Sequence, residues 1–244
     1  MEESVEMARA TVADGTREVV ATPHVRRDFV EDVSDFPDRV RELRAVLQRE
    51  AVDVAVRCGG EVGHEMVGTL SQDELETVAL GPPGARWLLL ETPFEGLDEA
   101  VCQAADELRE RGFGVVLAHP ERSAGILEPE ARRLLSRELS LGTVPQVNVW
   151  SLAGGYGAEA EQAAACLVRE RLVGVVASDA HPGWRGPLLS VGADVLVASG
   201  QAVSAALGSL PDDAALSEQL VEICLLYTSP SPRDRTRSRM PSSA

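Results

Sequence analysis

The sequence predicts an α/β protein built as a parallel barrel, and three observations support that prediction. Short apolar runs alternate with helical patterns, the runs recur at a nearly constant interval, and each run ends in a polar residue. The interval is about thirty residues, which is the length of one strand-plus-helix unit. Continuous Val and Leu runs suit strands that are buried on both faces, as in a parallel sheet.

The predicted elements follow one another from the amino terminus. The first is an amphipathic helix over residues 2–14, and six apolar runs come after it as candidate strands. The runs are Val19–His24, Val54–Glu61, Trp87–Glu91, Val115–His119, Val147–Asn148 and Val175–His181. Helical patterns lie between and after them, at Asp35–Glu50, Ser71–Val78, Leu97–Arg111, Pro129–Leu139, Ala158–Arg171 and Leu188–Leu207.

Local signals support the boundaries of several helices. Ser71 followed by Glu74 has the pattern of a capping box, and Pro129 stands where a first helical turn tolerates proline. Gly112–Gly114 and Gly174 mark the return from helix to strand. These signals agree with the alternation of strands and helices.

Residues 1–223 are predicted to form one barrel domain, and residues 224–244 a separate tail. With 244 residues, of which 44% are hydrophobic, the chain can bury one full core. After Cys224 the composition changes abruptly, and residues 225–244 contain three prolines and four arginines. Such a segment cannot form a core, so we expect it to be disordered. We interpret it as an artefact of the reading frame and not as a binding arm.

Composition excludes several classes of function. The net charge of −16 argues against a nucleic-acid partner, because binding the phosphate backbone needs a basic face. No apolar run approaches the roughly eighteen residues of a membrane span, and no leader pattern is visible. We therefore expect neither membrane insertion nor secretion.

The four cysteines indicate a reduced, cytoplasmic location. They are widely spaced and form no C-x-x-C pair. A cysteine phosphatase needs an arginine six residues after its nucleophile. The residues six beyond Cys58, Cys102 and Cys166 are His, Leu and Leu. That type of phosphatase is excluded.

The polar residues at the ends of the runs are of metal-ligand type. They are His24, Glu61, Glu91, His119, Asn148 and Asp179, with His181 two positions beyond the last. The carboxyl ends of successive strands meet at one face in α/β barrels, so these residues are predicted to converge. Mixed imidazole and carboxylate ligands suit Zn, Mn or Fe better than Ca or Mg. The sequence thus predicts a metal centre.

Taken singly, each candidate has another interpretation. A histidine at a strand end is more often a hydrogen-bonded loop residue, and Glu61 or Glu91 can point into water. Against this, Gly59–Gly60 directly before Glu61 suggests close backbone approach, and an unpaired charge after the apolar run before Glu91 would be costly. Asp179 and His181, two apart on a strand, are expected to share a face. The fourth histidine, at position 64, is assigned to the surface or the surroundings of the site.

Two arginines extend the predicted site. Arg122 stands three residues after His119, and Arg185 stands four after His181. Each can be a solvated loop charge, but beside a metal both are placed to bind phosphate oxygens. This pattern points to phosphomonoester hydrolysis. The metals would lower the pKa of a bridging water, and the resulting hydroxide would attack phosphorus in line.

The motifs TPH, GGE, LLLE, AHPER and SDAH followed by Arg resemble, in order and spacing, the PHP metal-dependent phosphoesterases. Within them the chain is most similar to the tyrosine-protein phosphatases of bacterial capsular and exopolysaccharide loci. The resemblance covers residues 2 to 186. It implies a distorted (β/α)7-type PHP barrel with two or three metal ions. Mn²⁺ is the ion expected, with Zn²⁺ or Fe as alternatives, and a phosphotyrosine protein, a bacterial tyrosine autokinase, is the implied substrate.

The resemblance also implies roles for individual residues. The metal ligands would be His24, Glu61, Glu91, His119, Asp179 and His181. The phosphate would be held by Arg122 and Arg185. A glutamate on the strand after GGE, where other PHP enzymes more often carry histidine, favours the tyrosine-phosphatase branch.

One departure from the family pattern concerns the amino terminus. The family opens on a strand with a His-x-His motif, and this chain begins after that position with a helix. We therefore expect a barrel that is missing its first strand, with strand edges open to pairing. Such a fragment would be weakly active or inactive, whereas the longer protein would be a phosphatase.

Three alternatives remain at this point. Another PHP phosphoesterase, such as a histidinol-phosphatase, would act on a small phosphomonoester. A metal-dependent amidohydrolase usually needs a carboxylated lysine, and the chain contains no lysine. An inactive fragment that binds metal structurally is the non-enzymatic alternative.

Overall fold

The computed structural model describes residues 1–181, 185–187, 189–190 and 222–224. Its strands are β1 Glu18–Ala21, β2 His24–Val25, β3 Ala55–Cys58, β4 Glu61–Gly63, β5 Trp87–Glu91, β6 Gly114–Ala118, β7 Val144–Asn148, β8 Val175–Ala177 and β9 Glu222–Cys224. Its helices are α1 Glu2–Ala13, α2 Phe36–Arg49, α3 His64–Val67, α4 Gln72–Val78, α5 Glu99–Glu110, α6 Pro129–Ser140, α7 Val149–Leu152 and α8 Ala158–Arg169, with a 3-10 helix at Pro120–Arg122.

The strands form two parallel sheets. Six strands pair in the order β2-β4-β5-β6-β7-β8, and three pair in the order β3-β1-β9. All of these pairs are parallel, which confirms the predicted α/β class. β9 contacts β8 as well as β1, so the two sheets come together there. Within the described residues, hydrogen bonding does not close the sheets into one continuous barrel.

The first two predicted strands each divide into two. Val19–His24 gives β1 and β2, and Val54–Glu61 gives β3 and β4, so one half of each run lies in each sheet. The breaks fall at Pro23, which lacks the N–H that a ladder needs, and at Gly59–Gly60. The prediction of single strands was therefore wrong. As a consequence, the two candidate ligands in these runs begin a strand instead of ending one.

The predicted helices between the strands are confirmed to within a few residues. The capping box is present, because the Glu74 backbone N–H donates to Ser71 Oγ at 3.3 Å and the Ser71 N–H donates to Glu74 Oε2 at 2.7 Å. The helix predicted from Leu97 begins at Glu99, since the Asp98 side chain accepts from the first-turn N–H groups.

Two predicted segments lie mostly outside the described residues. The helix predicted at 188–207 is described only at positions 189 and 190. Of the tail predicted at 224–244, only Cys224 is described, as the last residue of β9.

The six-stranded sheet is buried on both faces, as the continuous apolar runs predicted. Alternate strand residues such as Leu88 and Leu90 pack with the helices in the larger core cluster. The opposite face carries a smaller apolar layer formed by Leu89, Val116, Ala118, Val144 and Ala177. Side chains alternate along a strand, so Glu91 continues the face of Leu89 and lies directly beyond this layer.

None of the helices in the described part of the chain has both the length and the apolar character that crossing a membrane requires.

Candidate metal centre

The six predicted ligands converge at the edge of the six-stranded sheet where β5, β6 and β8 end, although His24 and Glu61 lie at the starts of the short strands β2 and β4. His24 and Glu61 are paired in register across β2 and β4, one strand beside Glu91 at the end of β5. His119 directly follows β6, and Asp179 comes two residues after β8. Residues far apart in sequence are thus neighbours in space, because β5, β6 and β8 end at a common edge and the short strands β2 and β4 pair beside them.

The first half of the cluster is formed by one imidazole and two carboxylates. His24 Nδ1 lies 3.6 Å from Glu61 Oε2 and 3.8 Å from Glu91 Oε1. One donor atom from each of the three residues lies within 4.8 Å of the other two. The other oxygen of Glu61 is 2.8 Å from Nε2 of His119, which joins a fourth candidate ligand to the group.

The second half of the cluster is centred on Asp179. Its Oδ1 is 3.6 Å from Nδ1 of His181, whose ring centroid lies 6.2 Å from that of His24. Its Oδ2 accepts hydrogen bonds from Asn148 Nδ2 at 2.8 Å, from Arg122 Nη1 at 3.0 Å and from Arg185 Nη1. Both predicted phosphate-binding arginines therefore reach the same carboxylate oxygen.

The prediction that Asp179 and His181 share a strand face was wrong, although the two residues do lie close together. β8 ends at Ala177, so no strand face is shared by them. The chain instead turns at Asp179, whose φ is 46°. A pair of backbone hydrogen bonds, 3.0 and 3.1 Å long, then joins His181 to Arg185.

Two residues of the cluster have unusual backbone geometry. His119 has a φ of 37° and Asp179 a φ of 46°, in the left-handed region that side-chain-bearing residues rarely adopt. A conformation of this kind costs on the order of 1 kcal/mol and persists where the surrounding structure enforces it. Here the His119 carbonyl accepts the Arg122 N–H at 2.9 Å, in the turn that begins with Pro120. At each of these two positions the chain turns, so the candidate ligand lies just beyond the end of a strand.

Burial sets the protonation of the cluster. Removal from water raises the pKa of Glu61 and of Glu91 to about 7, and for Glu91 the neighbouring Glu61 charge adds to the effect. The same burial lowers the pKa of all three imidazoles, that of His181 to about 4. Neutral imidazoles keep a lone pair available for a metal ion at ordinary pH.

The donor set fits a transition-metal ion. His24 Nδ1 and His119 Nδ1 are buried and have no hydrogen-bond partner among the described residues. Atoms that bind one ion at about 2.1 Å must lie within roughly 4.2 Å of one another, and the 3.6 and 3.8 Å separations around His24 meet that condition. Glu61 and Glu91 are buried beside each other, and a bound cation would offset the repulsion between their ionised forms.

Two aromatic residues beside the arginines were not anticipated from the sequence. The Arg122 guanidinium carbon lies 4.6 Å from the Phe94 ring centroid and 4.1 Å from that of Tyr156. Arg185 donates a hydrogen bond to the Tyr156 hydroxyl. Phe and Tyr are rare in the chain, which has four of the first and two of the second. A Phe three positions after the candidate ligand Glu91 was therefore a signal that could have been noted.

Arg26 is a third arginine at the site that the sequence reasoning missed. Its Nη1 donates to both oxygens of Glu91, at 2.8 and 3.0 Å. It stands two residues after His24. Alternate residues of an extended segment lie on the same face, and this spacing was the signal that could have identified Arg26. His64, by contrast, lies outside the cluster, with its Nδ1 3.7 Å from Glu65.

Glu121 stabilises the turn that carries Arg122. It is buried, and its Oε1 accepts from the Asn148 N–H at 2.9 Å and from the Ser151 hydroxyl at 2.6 Å. Burial raises the pKa of this carboxyl. The contact fixes the turn after β6 to the end of β7.

Comparison with known proteins gives a consistent result. The family model described as capsular polysaccharide synthesis, CpsB/CapC, matches residues 1–201. The tyrosine-protein phosphatase YwqE of Bacillus subtilis (strain 168) is 33% identical over 183 residues, which is 73% of this chain and 69% of the relative. The putative tyrosine-protein phosphatase CapC of Staphylococcus aureus is 24% identical over 190 residues, covering 77% and 72% of the two chains.

A solved structure shares the same architecture. It comes from crystal structures of YwqE from Bacillus subtilis and CpsB from Streptococcus pneumoniae, described as unique metal-dependent tyrosine phosphatases. The superposition has a TM-score of 0.73 and 26% sequence identity, and it covers 91% of each chain.

Proposed function

Because the chain belongs to the CpsB/CapC family of capsular polysaccharide synthesis, we propose that it is a metal-dependent protein-tyrosine phosphatase. The observation that carries the proposal is the meeting of imidazole and carboxylate donors with two arginines at one edge of the sheet. The names of the relatives and the solved structure support the same activity. The predicted membership of the tyrosine-phosphatase branch is confirmed.

The proposed metal centre, of two or three ions, would be held by His24, Glu61, Glu91, His119, Asp179 and His181. When bound, the metal supplies Lewis-acid polarisation of the phosphate and activation of the attacking water. Mn²⁺ is the ion we propose, and Zn²⁺ or Fe are the alternatives that the same donors accept.

The arginines orient the phosphoryl group. Arg122 and Arg185 present planar guanidinium groups, which bind pairs of phosphate oxygens better than a point charge does. Asp179 holds both guanidinium groups from one side. Arg185 is buried, so its charge is weakly screened by water and acts strongly on a phosphate dianion.

The substrate we propose is a phosphotyrosine protein, and more narrowly a bacterial tyrosine autokinase of capsule or exopolysaccharide synthesis. The family description and the relatives' names support this choice. We further propose that the protein acts in the cytoplasm, and the free thiols of Cys58, Cys102 and Cys166 are consistent with a reducing environment.

The test compares hydrolysis of a phosphotyrosyl peptide with that of histidinol phosphate, with Mn²⁺ and with a chelator. We expect any Mn²⁺-dependent turnover, even if slow, to favour the peptide over histidinol phosphate. His119→Gln should abolish it, and the matched His64→Gln variant should not, since position 64 is outside the cluster. A preference for histidinol phosphate would identify another phosphoesterase. Less than one bound metal per chain without turnover would favour the structural metal-binding alternative.

A further inference from the structure

Phe94 is an exposed aromatic residue beside the proposed active site. Its exposed fraction is 47%, the largest of any large hydrophobic residue in the described part of the chain. It stands three positions after Glu91, in the loop that leaves β5 at the carboxyl-terminal edge. Exposing a ring of this size gives up the favourable free energy of burying it, so the position calls for an explanation.

The backbone around Phe94 is held in place by the neighbouring loop. The Phe94 carbonyl accepts the Ala124 N–H at 2.9 Å, and the Pro93 carbonyl accepts the Ser123 hydroxyl at 2.6 Å. Both donors belong to the segment that follows the 3-10 helix containing Arg122. The backbone that carries the ring is therefore held beside the segment that carries the arginine.

The ring contacts both functional halves of the site. It stacks on the candidate ligand His119, with centroids 6.0 Å apart and planes inclined by 25°. The Arg122 guanidinium carbon lies 4.6 Å from its centroid. If Arg122 binds the phosphate, the exposed part of the Phe94 ring would lie beside the group to which that phosphate is attached.

We propose that Phe94 forms an aromatic wall that selects aryl phosphates over alkyl phosphates by contacting the ring of the bound phosphotyrosine. This inference rests on the proposed phosphatase function and adds a specificity determinant to it. Aromatic pairs gain from offset or edge-to-face contact beyond the area they bury, whereas an alkyl ester gains only the smaller area. The alternative is that Phe94 merely supports His119 and Arg122.

The test compares the binding of two phosphonates, one with a phenyl substituent and one with a methyl substituent. Phenylphosphonate and methylphosphonate are titrated calorimetrically into the Mn²⁺-loaded protein, so the result does not depend on turnover. The variants are Phe94→Ala and Phe94→Leu. The matched control is Leu141→Ala, because Leu141 is 46% exposed but precedes β7 at the opposite edge of the sheet.

We expect the unchanged protein to bind phenylphosphonate about fivefold more tightly than methylphosphonate. Phe94→Ala should remove this preference while the methylphosphonate affinity stays within about twofold, Phe94→Leu should be intermediate, and Leu141→Ala should behave as the unchanged protein. Equal binding of the two ligands, no binding of either, or a preference that survives Phe94→Ala would overturn the inference. An equal loss for both ligands would overturn it too, because it would show mere support of the site.

Failure of the proposed function would look different. A phenyl preference lost in Phe94→Ala, together with turnover of histidinol phosphate but not of the phosphotyrosyl peptide, would support the role of Phe94 and contradict the protein-tyrosine phosphatase assignment.

Discussion

At the scale of single residues, Asp179 organises the end of the site where we propose that phosphate binds. One of its oxygens accepts hydrogen bonds from Asn148, Arg122 and Arg185, while the other faces His181. Burial alone would raise the pKa of Asp179, but the charges of neighbouring histidine and arginine groups lower it overall. The residue therefore stays ionised and can orient two arginines at once.

Replacing Arg122 by Lys should impair catalysis. The ammonium keeps the charge but loses the planar fork, so we expect kcat/KM for the phosphotyrosyl peptide to fall about tenfold or more. Steady-state kinetics measures the change, and inhibition by inorganic phosphate should weaken in parallel. Arg133→Lys is the control, because Arg133 pairs with Glu99 and Glu130 on the helical surface. Similar losses in the two variants would contradict a specific role for Arg122.

The sequence allowed the meeting of the candidate ligands and both arginines to be predicted, because the candidate ligands follow apolar runs at a regular interval and the arginines stand a few residues beyond two of them. It gave no warning that Tyr156 would meet Arg122 and Arg185, since Tyr156 lies in a glycine-rich loop after α7 with no periodic pattern. Arg26 was missed for a related reason. A charge two residues after His24 indicates a solvated position until the fold brings Glu91 beside it.

At the scale of elements, the paired glycines between β3 and β4 control the position of Glu61. A Cβ on Gly59 would lie 2.7 Å from a Val20 methyl, and one on Gly60 would lie 2.9 Å from the Val78 Cβ. Both distances are shorter than real contacts allow. The close backbone approach predicted from this pair is confirmed, and it lets the chain pass from one sheet to the other just before a ligand.

Gly60→Ala should destabilise the protein and weaken metal binding. The added methyl group must push Val78 or Val25 aside, and overpacking of this kind costs about 1–3 kcal/mol. Denaturant unfolding measures the stability, and Mn²⁺ calorimetry measures the shift of Glu61. Gly68→Ala is the control, because its nearest contact would be an ordinary 3.5 Å. Equal stability of the two variants would refute the packing argument.

The elements themselves were predicted well where hydrophobic periodicity decided them, and less well at strand ends. Trp87–Glu91 was predicted to the residue, since its continuous apolar run suits a strand that is buried on both faces. The run through Pro23 was predicted as one strand, because apolar composition alone does not reveal which of two sheets each half joins. Pairing of that kind depends on tertiary contacts.

At the scale of the whole molecule, the site connects most of the described fold. Its candidate ligands come from β2, β4 and β5 and from the turns after β6 and β8. A ligand that binds only the folded state stabilises the whole of it by mass action. Metal binding at this edge is therefore expected to act on global stability as well as on activity.

Mn²⁺ should raise the melting temperature, and more so at pH 8 than at pH 6. Since the pKa of Glu61 and of Glu91 is raised to about 7, both carboxyls are largely protonated at pH 6, and protons then compete with the metal. The histidines, whose pKa values are lowered, add no such competition. Thermal unfolding with and without Mn²⁺ at each pH checks this.

Glu91→Gln should reduce both the shift in melting temperature and its pH dependence, because it removes one titrating ligand. A shift that is equal at both pH values, or larger at pH 6, would contradict the expected competition between protons and metal.

The apolar layer of Leu89, Val116, Ala118, Val144 and Ala177 lies beneath the polar edge and offers no polar or titratable side chain. The apolar side chains of these strands thus contribute mainly to folding, and the polar residues beyond them mainly to the proposed chemistry. Natural variation can change the polar residues, and with them the ion preference or substrate range, without repacking the interior. This separation makes the scaffold evolvable, and it means that laboratory selection for new hydrolytic specificities should begin with the loops that follow the strands.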